Sequence, residues 1–248
     1  MEARADAVVR RYLFTNDHRI VGLQYLWLSI VAVIIAILLS VLMRWHLVNP
    51  YAKVGWFETI WPVAAAGGVM KPELYLSLMT MHGTLMVFFV LSVAPQSAFG
   101  NYLLPMQIGS REMAFPFLTG LSFWMTALAF VIMLAAFAVP GGAPLAGWTA
   151  YPPLSAVGAV SGPGEGLGQT LWIVSIAVLC VAATMGAVNF IATILECRRP
   201  GLSMMQLPLT CWNWFVTAIL SVLGFPVLFA AGVLLLLDRS GASSFFVP

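Results

Sequence analysis

The sequence predicts an all-α integral membrane protein built as a bundle of five transmembrane helices. Its composition is 61% hydrophobic and 8% charged, with a mean hydropathy of +0.97, whereas about 25% of the residues of a soluble domain are charged. Its apolar runs reach the roughly 20 residues that a helix needs to cross a bilayer. We expect helices because lipid offers no hydrogen-bond partners to backbone groups.

The apolar runs place the helices at about 21–46, 73–104, 114–139, 169–195 and 207–237, within one membrane domain covering residues 1–248. A polar turn at 109–112 separates the second and third runs, and a Gly/Pro-rich loop at 140–168 precedes the fourth. Pro226 predicts a kink in the fifth helix. We find no internal repeat, which argues against a transporter made of two related halves.

Several classes of function are excluded by composition and motifs. The net charge of +2 and the absence of a basic cluster argue against nucleic acid as a partner. Cys180, Cys197 and Cys211 lack the spacing of a metal site. We find no Ser/His/Asp set or carboxylate pair, so we expect no catalytic residue within this chain, and any redox chemistry needs a cofactor.

Charge predicts that the N-terminus of this multi-pass chain lies on the cytoplasmic side of the membrane. This orientation puts seven of the eleven basic residues inside, in agreement with the positive-inside rule. The seven are Arg4, Arg10, Arg11, Arg19, Arg111, Arg198 and Arg199. The segment before the first helix is no signal peptide, because the apolar run is too long and no small-residue cleavage site follows it.

His82 is the histidine that lies deepest in an apolar run. If the second helix begins near Glu73, His82 lies roughly 13 Å from the outer surface. An ionisable side chain at this depth is costly and suggests a functional site. One interpretation is a hydrogen bond to a neighbouring helix, and the other is an axial ligand to haem iron.

Five further positions have both a structural and a functional interpretation. Arg44 is either an interfacial arginine or a cation that binds a cofactor. Glu112 is either part of a solvated turn or the proton-collecting end of a polar path. Asn101, Ser122 and Tyr25 could line that path, or they could form hydrogen bonds between helices.

Several motifs in chain order resemble subunit I of the haem-copper terminal oxidases. They are Asp17-His18-Arg19-Ile20-Val21-Gly22-Leu23-Gln24-Tyr25-Leu26, His82-Gly83-Thr84-Leu85-Met86-Val87-Phe88-Phe89, Phe99-Gly100-Asn101-Tyr102-Leu103-Leu104-Pro105-Met106-Gln107-Ile108-Gly109, Met113-Ala114-Phe115-Pro116, Leu121-Ser122-Phe123-Trp124, the loop from Gly147 to Leu154, Gly186-Ala187-Val188-Asn189-Phe190 and Arg199-Pro200-Gly201. The resemblance covers nearly the whole chain, and it implies the N-terminal five helices of a twelve-helix fold.

By this resemblance, His82 is one axial ligand of a low-spin haem, of the haem a type, and Arg44 contacts a substituent of that haem. Glu112 lies where the family usually has an aspartate at the mouth of a proton channel, and Asn101, Ser122 and Tyr25 match positions along it.

Two departures from the family pattern affect that channel. Thr119 and Gly120 replace a usual Asn-Asn pair, and Leu179, Ala182 and Ala183 replace serines of the fourth helix. The part of the channel beside the fourth helix would then be apolar, and an apolar channel cannot hold a file of ordered water.

The resemblance implies a catalytic subunit of an aerobic respiratory oxidase that transfers electrons from cytochrome c to oxygen and translocates protons. There are two alternatives: a quinol-oxidising relative, or an inactive truncated paralogue that acts as a membrane scaffold. Because the chain stops before the sixth helix, we expect copper and the high-spin haem only in a missing C-terminal part. The implied partners are that remaining half of subunit I, oxidase subunits II and III, cytochrome c or quinol, and membrane lipid.

Overall fold

A computed structural model describes residues 12–60, 65–158 and 165–247 of the chain, and these residues form helices and loops with no strand. The helices are α1 (His18–Val48), α2 (Gly55–Ile60), α3 (Pro72–Ile108), α4 (Pro116–Ala135), α5 (Leu167–Glu196) and α6 (Leu209–Arg239). All but the short α2 are long and apolar enough to cross a membrane. The predicted all-α class with five spanning helices is therefore confirmed.

Helix ends differ from the apolar runs by a few residues, for local chemical reasons. α3 continues to Ile108, four residues past the predicted end, because Gly109 adopts a left-handed conformation (φ 76°) and its N–H caps the Pro105 carbonyl. α4 ends at Ala135, short of 139, where the backbone tightens into three-residue turns before Pro140. Pro226 lies inside α6, and the kink there stays a prediction.

The middle of α3 is wound more loosely than an α-helix. Two π-helical segments, Leu85–Leu91 and Val93–Ala98, follow His82 directly. Pro95 has no N–H to donate to the helix, and its own carbonyl accepts a hydrogen bond from the Trp214 indole at 3.0 Å. Such π-helical insertions are rare and are often found at functional sites.

The described residues divide into two compact units. The first comprises the described parts of Met1–Ser29, Leu91–Leu128 and Val178–Phe229, and the second those of Ile30–Val90, Ala129–Ala177 and Ala230–Pro248. The predicted proton-path residues fall in the first unit, and His82 and Arg44 fall in the second. Arg4, Arg10 and Arg11, which support the predicted orientation, lie outside the described residues.

The first unit is held together by close backbone approach and by one buried amide. A β-carbon at Gly100 would lie 2.7 Å from the Phe190 ring, so glycine permits this contact between α3 and α5. Asn189 of α5 accepts a hydrogen bond from the Phe115 N–H and donates to the Phe115 carbonyl and the Thr119 hydroxyl. The amide therefore satisfies backbone groups at the start of α4, where the first N–H groups of a helix have no partner within the helix.

The second unit is held together by a loop, residues 140–158, that lies along α3. The Ser77 hydroxyl donates to the Ala143 carbonyl at 2.7 Å, and the Gly147 N–H donates to the Thr80 hydroxyl at 3.0 Å. Arg239, at the end of α6, donates to the carbonyls of Ser155, Glu165 and Gly166. This guanidinium joins the loop, the start of α5 and the end of α6.

We predict that Gly100→Ala destabilises the protein by about 1–3 kcal/mol, because the methyl group overpacks against Phe190. The matched control is Gly186→Ala, at a helical glycine with nothing within 4 Å of the added carbon. It should be neutral or should stabilise α5 by up to about 1 kcal/mol. Denaturant unfolding in detergent micelles, followed by circular dichroism, measures both. Equal stability of the two variants would contradict the close packing at Gly100.

Candidate functional site

His82 lies in α3, half-buried, in the last turn before the helix loosens. Its Nδ1 is 2.9 Å from the Ala36 carbonyl of α1. A carbonyl oxygen can only accept, so Nδ1 carries a proton, and in the neutral form of the ring the lone pair is then on Nε2. Nε2 has no hydrogen-bond partner within the described part of the chain. The ring is therefore held in the orientation and the tautomer that a metal ligand requires.

The residues on either side of His82 contact the loop at 143–148. A β-carbon at Gly83 would lie 2.9 Å from the Trp148 ring, so the indole is in close contact with the α3 backbone. Thr80 receives the Gly147 N–H, as described above. The loop therefore lies against α3 at Gly83, the residue after His82, and Trp148 provides one aromatic wall there.

A second wall comes from α5. The Trp172 indole donates to the Thr84 hydroxyl at 2.8 Å, and Thr84 donates in turn to the Thr80 carbonyl at 2.7 Å. The Phe88 ring contacts the edges of both Trp148 and Trp172, each with 6.5 Å between ring centroids. Thr80, Thr84 and Trp172 were not identified from the sequence. The two threonines lie two residues on either side of His82, but nothing in the sequence pairs them with Trp172, which is 88 residues after Thr84.

Arg44 lies on α1, two helical turns beyond Ala36, or about 12 Å along the helix axis. It is exposed, and it makes no hydrogen bond or ion pair with any described residue. Arg44 and His82 thus belong to the same unit and are connected through the Ala36 contact. The five N–H donors of the Arg44 guanidinium are available to an acidic or carbonyl group of a ligand.

The predicted proton-path residues lie in the first unit, where the described residues show one hydrogen-bonded pair among them. Tyr25 donates to the Ser122 hydroxyl at 2.9 Å, and both side chains are buried. Asn101 is also buried, and its backbone carbonyl accepts from His18 Nδ1 at 2.8 Å. The Asn101 amide donates to the Ser97 carbonyl of its own helix. The structure thus joins Tyr25 to Ser122 and leaves Asn101 bonded elsewhere.

Glu112 lies in the exposed turn between α3 and α4. The Ser110 hydroxyl donates to its backbone carbonyl at 2.6 Å. Among the described residues, no hydrogen bond joins its carboxylate to Tyr25, Ser122 or Asn101. On α5, Leu179 and Ala182 are buried apolar side chains.

A polar cluster at the start of α5 was not found from the sequence. Glu165 and Gln169 are completely buried, and Glu165 accepts the Leu145 N–H at 2.6 Å. Burial raises the pKa of the Glu165 carboxyl above its usual value, although the Leu145 hydrogen bond and the charge of Arg239 oppose this effect. The signal that could have identified this cluster is a lone acidic residue in a loop without basic residues.

We predict that the neutral His82 ring of the haem-free protein carries its proton on Nδ1 and not on Nε2, because Nδ1 faces a carbonyl. Solid-state ¹⁵N NMR of histidine-labelled protein in lipid bilayers measures this tautomer, and the chain's three histidines keep the spectrum simple. His82→Gln assigns the signal. A signal from His82 showing the proton on Nε2 would contradict the Ala36 hydrogen bond.

Comparison with known proteins identifies the family. Residues 20–248 match the family model described as cytochrome c and quinol oxidase polypeptide I. The chain is 38% identical over 238 residues to the alternative cytochrome c oxidase subunit 1 of Bradyrhizobium diazoefficiens, covering 96% of this chain and 38% of that protein. It is 38% identical over 237 residues to cytochrome c oxidase subunit 1 of Thermostichus vulcanus, covering 96% and 39%.

An archaeal relative, the heme-copper oxidase subunit I+III of Aeropyrum pernix, is 36% identical over 243 residues, which cover 97% of this chain and 27% of that protein. The chain thus spans at most about two-fifths of the length of these three relatives. The family implies haem and copper cofactors and assembly with other oxidase subunits. With its five spanning helices, the chain is a multi-pass membrane protein, and it belongs to the subunit I family of the haem-copper oxidases.

Proposed function

We propose that this chain forms part of the catalytic subunit of an aerobic respiratory terminal oxidase and that His82 is an axial ligand of its low-spin haem. The observation that carries this proposal is the hydrogen bond from His82 Nδ1 to the Ala36 carbonyl, at 2.9 Å. It orients the ring and leaves the Nε2 lone pair for iron. A neutral imidazole held by a backbone carbonyl is a common arrangement for a metal ligand.

The surroundings of His82 suit a haem chemically. The aromatic rings of Phe88, Trp148 and Trp172 provide an apolar wall near the imidazole, and a flat apolar macrocycle packs well against aromatic rings. Arg44, about 12 Å along α1 from Ala36, would bind a polar substituent at the edge of the haem. When bound, the haem accepts and passes on one electron, and its potential depends on the axial ligand and on burial.

We further propose that the intact protein transfers electrons from cytochrome c to oxygen and couples this transfer to proton translocation. Both bacterial subunit 1 relatives described above are named as cytochrome c oxidases, which favours cytochrome c as the donor. The family description also includes quinol oxidases, so quinol is the second candidate donor. The haem would be of the a type, and copper and the high-spin haem would be bound by the remaining half of subunit I.

The proposed assembly lies in the bacterial inner membrane with the N-terminus in the cytoplasm, as one membrane domain with oxidase subunits II and III. Tyr25 and Ser122, which share a buried hydrogen bond, would be part of a proton path, together with Asn101. Glu112 would collect protons at its exposed mouth. The hydroxyl groups of Tyr25 and Ser122 and the carboxyl group of Glu112 would hold or pass a proton, whereas the Asn101 amide would only form hydrogen bonds along the path.

We predict that His82→Ala in the assembled oxidase abolishes the absorption of the low-spin haem in reduced-minus-oxidised spectra, because the iron loses an axial nitrogen. The matched control is His46→Ala. His46 also lies on the His82 side of the bundle, but its ring contacts Tyr75, with the ring centroids 5.9 Å apart. The control should retain the absorption. A full low-spin signal in the His82 variant would refute the ligand assignment.

We also predict that Glu112→Gln lowers the rate of proton uptake by less than tenfold, which corresponds to about 1.4 kcal/mol in barrier height. The reason is that the buried side chains of Leu179 and Ala182 would make the α5 side of the proposed path apolar. Proton uptake therefore cannot depend on a continuous file of water. Stopped-flow measurement with a pH-sensitive dye gives the rate. Complete loss of both turnover and pumping would show that Glu112 feeds an essential path.

A further inference from the structure

A cavity of about 320 Å³ lies between α3 and the first half of α6, within the first compact unit. Most of the side chains that line it are polar, although both helices are otherwise apolar. The polar residues are Ser92 and Gln96 of α3, and Asn213, Thr217 and Ser221 of α6. Polar side chains within a membrane-spanning region are costly and commonly line a functional path or site.

Two side-chain amides at this cavity have no hydrogen-bond partner among the described residues. They belong to Gln96 and Asn213, and Nε2 of Gln96 is buried. Buried polar atoms are nearly always hydrogen-bonded, and lipid has no group that could bond to an amide. The two amides therefore indicate that the cavity holds something polar.

The polar residues of α6 extend from the membrane surface towards the middle of the bilayer. Asn213, Thr217 and Ser221 follow one another at intervals of four residues, so they share one face of α6 over about 12 Å. The helix is about 46 Å long and begins at Leu209, about 6 Å before Asn213. Because the hydrocarbon core is about 30 Å thick, the cavity begins near one edge of this core.

The part of α3 that lines the cavity is its π-helical part. Such segments are often found at functional sites, and Gln96 lies within the second of them, Val93–Ala98. The Trp214 indole donates to the Pro95 carbonyl at 3.0 Å, and both residues line the cavity. This hydrogen bond holds α3 and α6 together at the wall of the cavity.

Water fits this cavity better than an acyl chain or a side chain of another helix. A water molecule occupies about 30 Å³ and needs two to four polar partners, so the cavity has room and partners for several. An acyl chain would leave the amides of Gln96 and Asn213 unsatisfied. A single side chain from another helix could not reach donors and acceptors that are spread over about 12 Å.

We propose that this cavity is a water-binding site, which water enters from the membrane surface at which α6 begins. The amides of Gln96 and Asn213 donate to this water and accept from it, and the hydroxyl groups of the cavity extend the cluster. None of the predicted proton-path residues lines the cavity. The proposal therefore depends neither on that path nor on haem binding.

Cysteine labelling of the assembled protein in lipid bilayers tests the proposal. Thr217→Cys is made in a background that carries Cys180→Ala, Cys197→Ala and Cys211→Ala. It should react with a water-soluble, cationic methanethiosulfonate at least about tenfold faster than Leu220→Cys, because the reactive thiolate forms only where water is present. Leu220 is the matched control, since it lies three residues further along α6, is 62% exposed and does not line the cavity.

A second pair of variants tests whether the polar lining holds the water. Gln96→Leu should lower the labelling rate of Thr217→Cys at least about threefold, because an apolar wall holds water poorly. Gln107→Leu, at a glutamine of the same helix that does not line the cavity, should leave this rate unchanged.

Equal labelling of Thr217→Cys and Leu220→Cys would overturn the proposal, and it is the result expected if an acyl chain or another helix fills the cavity. The proposal is also overturned if Gln96→Leu leaves the labelling rate unchanged, or if Gln107→Leu lowers the rate as much as Gln96→Leu does.

Discussion

Lipid cannot hydrogen-bond to buried polar groups, and this constraint determines most of the polar contacts in the structure. Asn189 satisfies the backbone at the start of α4, and Arg239 satisfies four acceptors where the loop, α5 and α6 meet. The same requirement explains His82, whose Nδ1–H needs an acceptor and finds the Ala36 carbonyl. Satisfying one nitrogen in this way leaves the other free for a metal.

The structure supports haem binding at His82 by more contacts than it supports the proposed proton path. Around His82, hydrogen bonds and aromatic contacts converge from α1, α3, α5 and the loop at 140–158, so the ring is held from several directions. Along the proposed proton path, Tyr25 and Ser122 are bonded to each other, while Glu112 stands apart in an exposed turn. The proposed haem ligand is thus held in place by the fold, whereas no hydrogen bond among the described residues connects Glu112 with the rest of the proposed path.

The sequence predicted the helix number and class because five long apolar runs permit hardly any other structure in a bilayer. His82 stood out because it is an imidazole within such a run. The contact of Arg239 with the Glu165 backbone carbonyl could not be predicted, because the two residues lie 74 positions apart and only the fold brings them together. The same holds for Trp172 and Thr84, since each is an ordinary residue of an apolar helix until the two helices pack.

The most direct test of the account is a cryo-electron microscopy structure of the assembled oxidase at a resolution that shows side chains. The account predicts that iron of the low-spin haem is bonded to Nε2 of His82, while Nδ1 keeps its hydrogen bond to the Ala36 carbonyl. Iron bound by a different residue, or an Nε2 that is hydrogen-bonded to another helix with no haem beside it, would contradict the central claim.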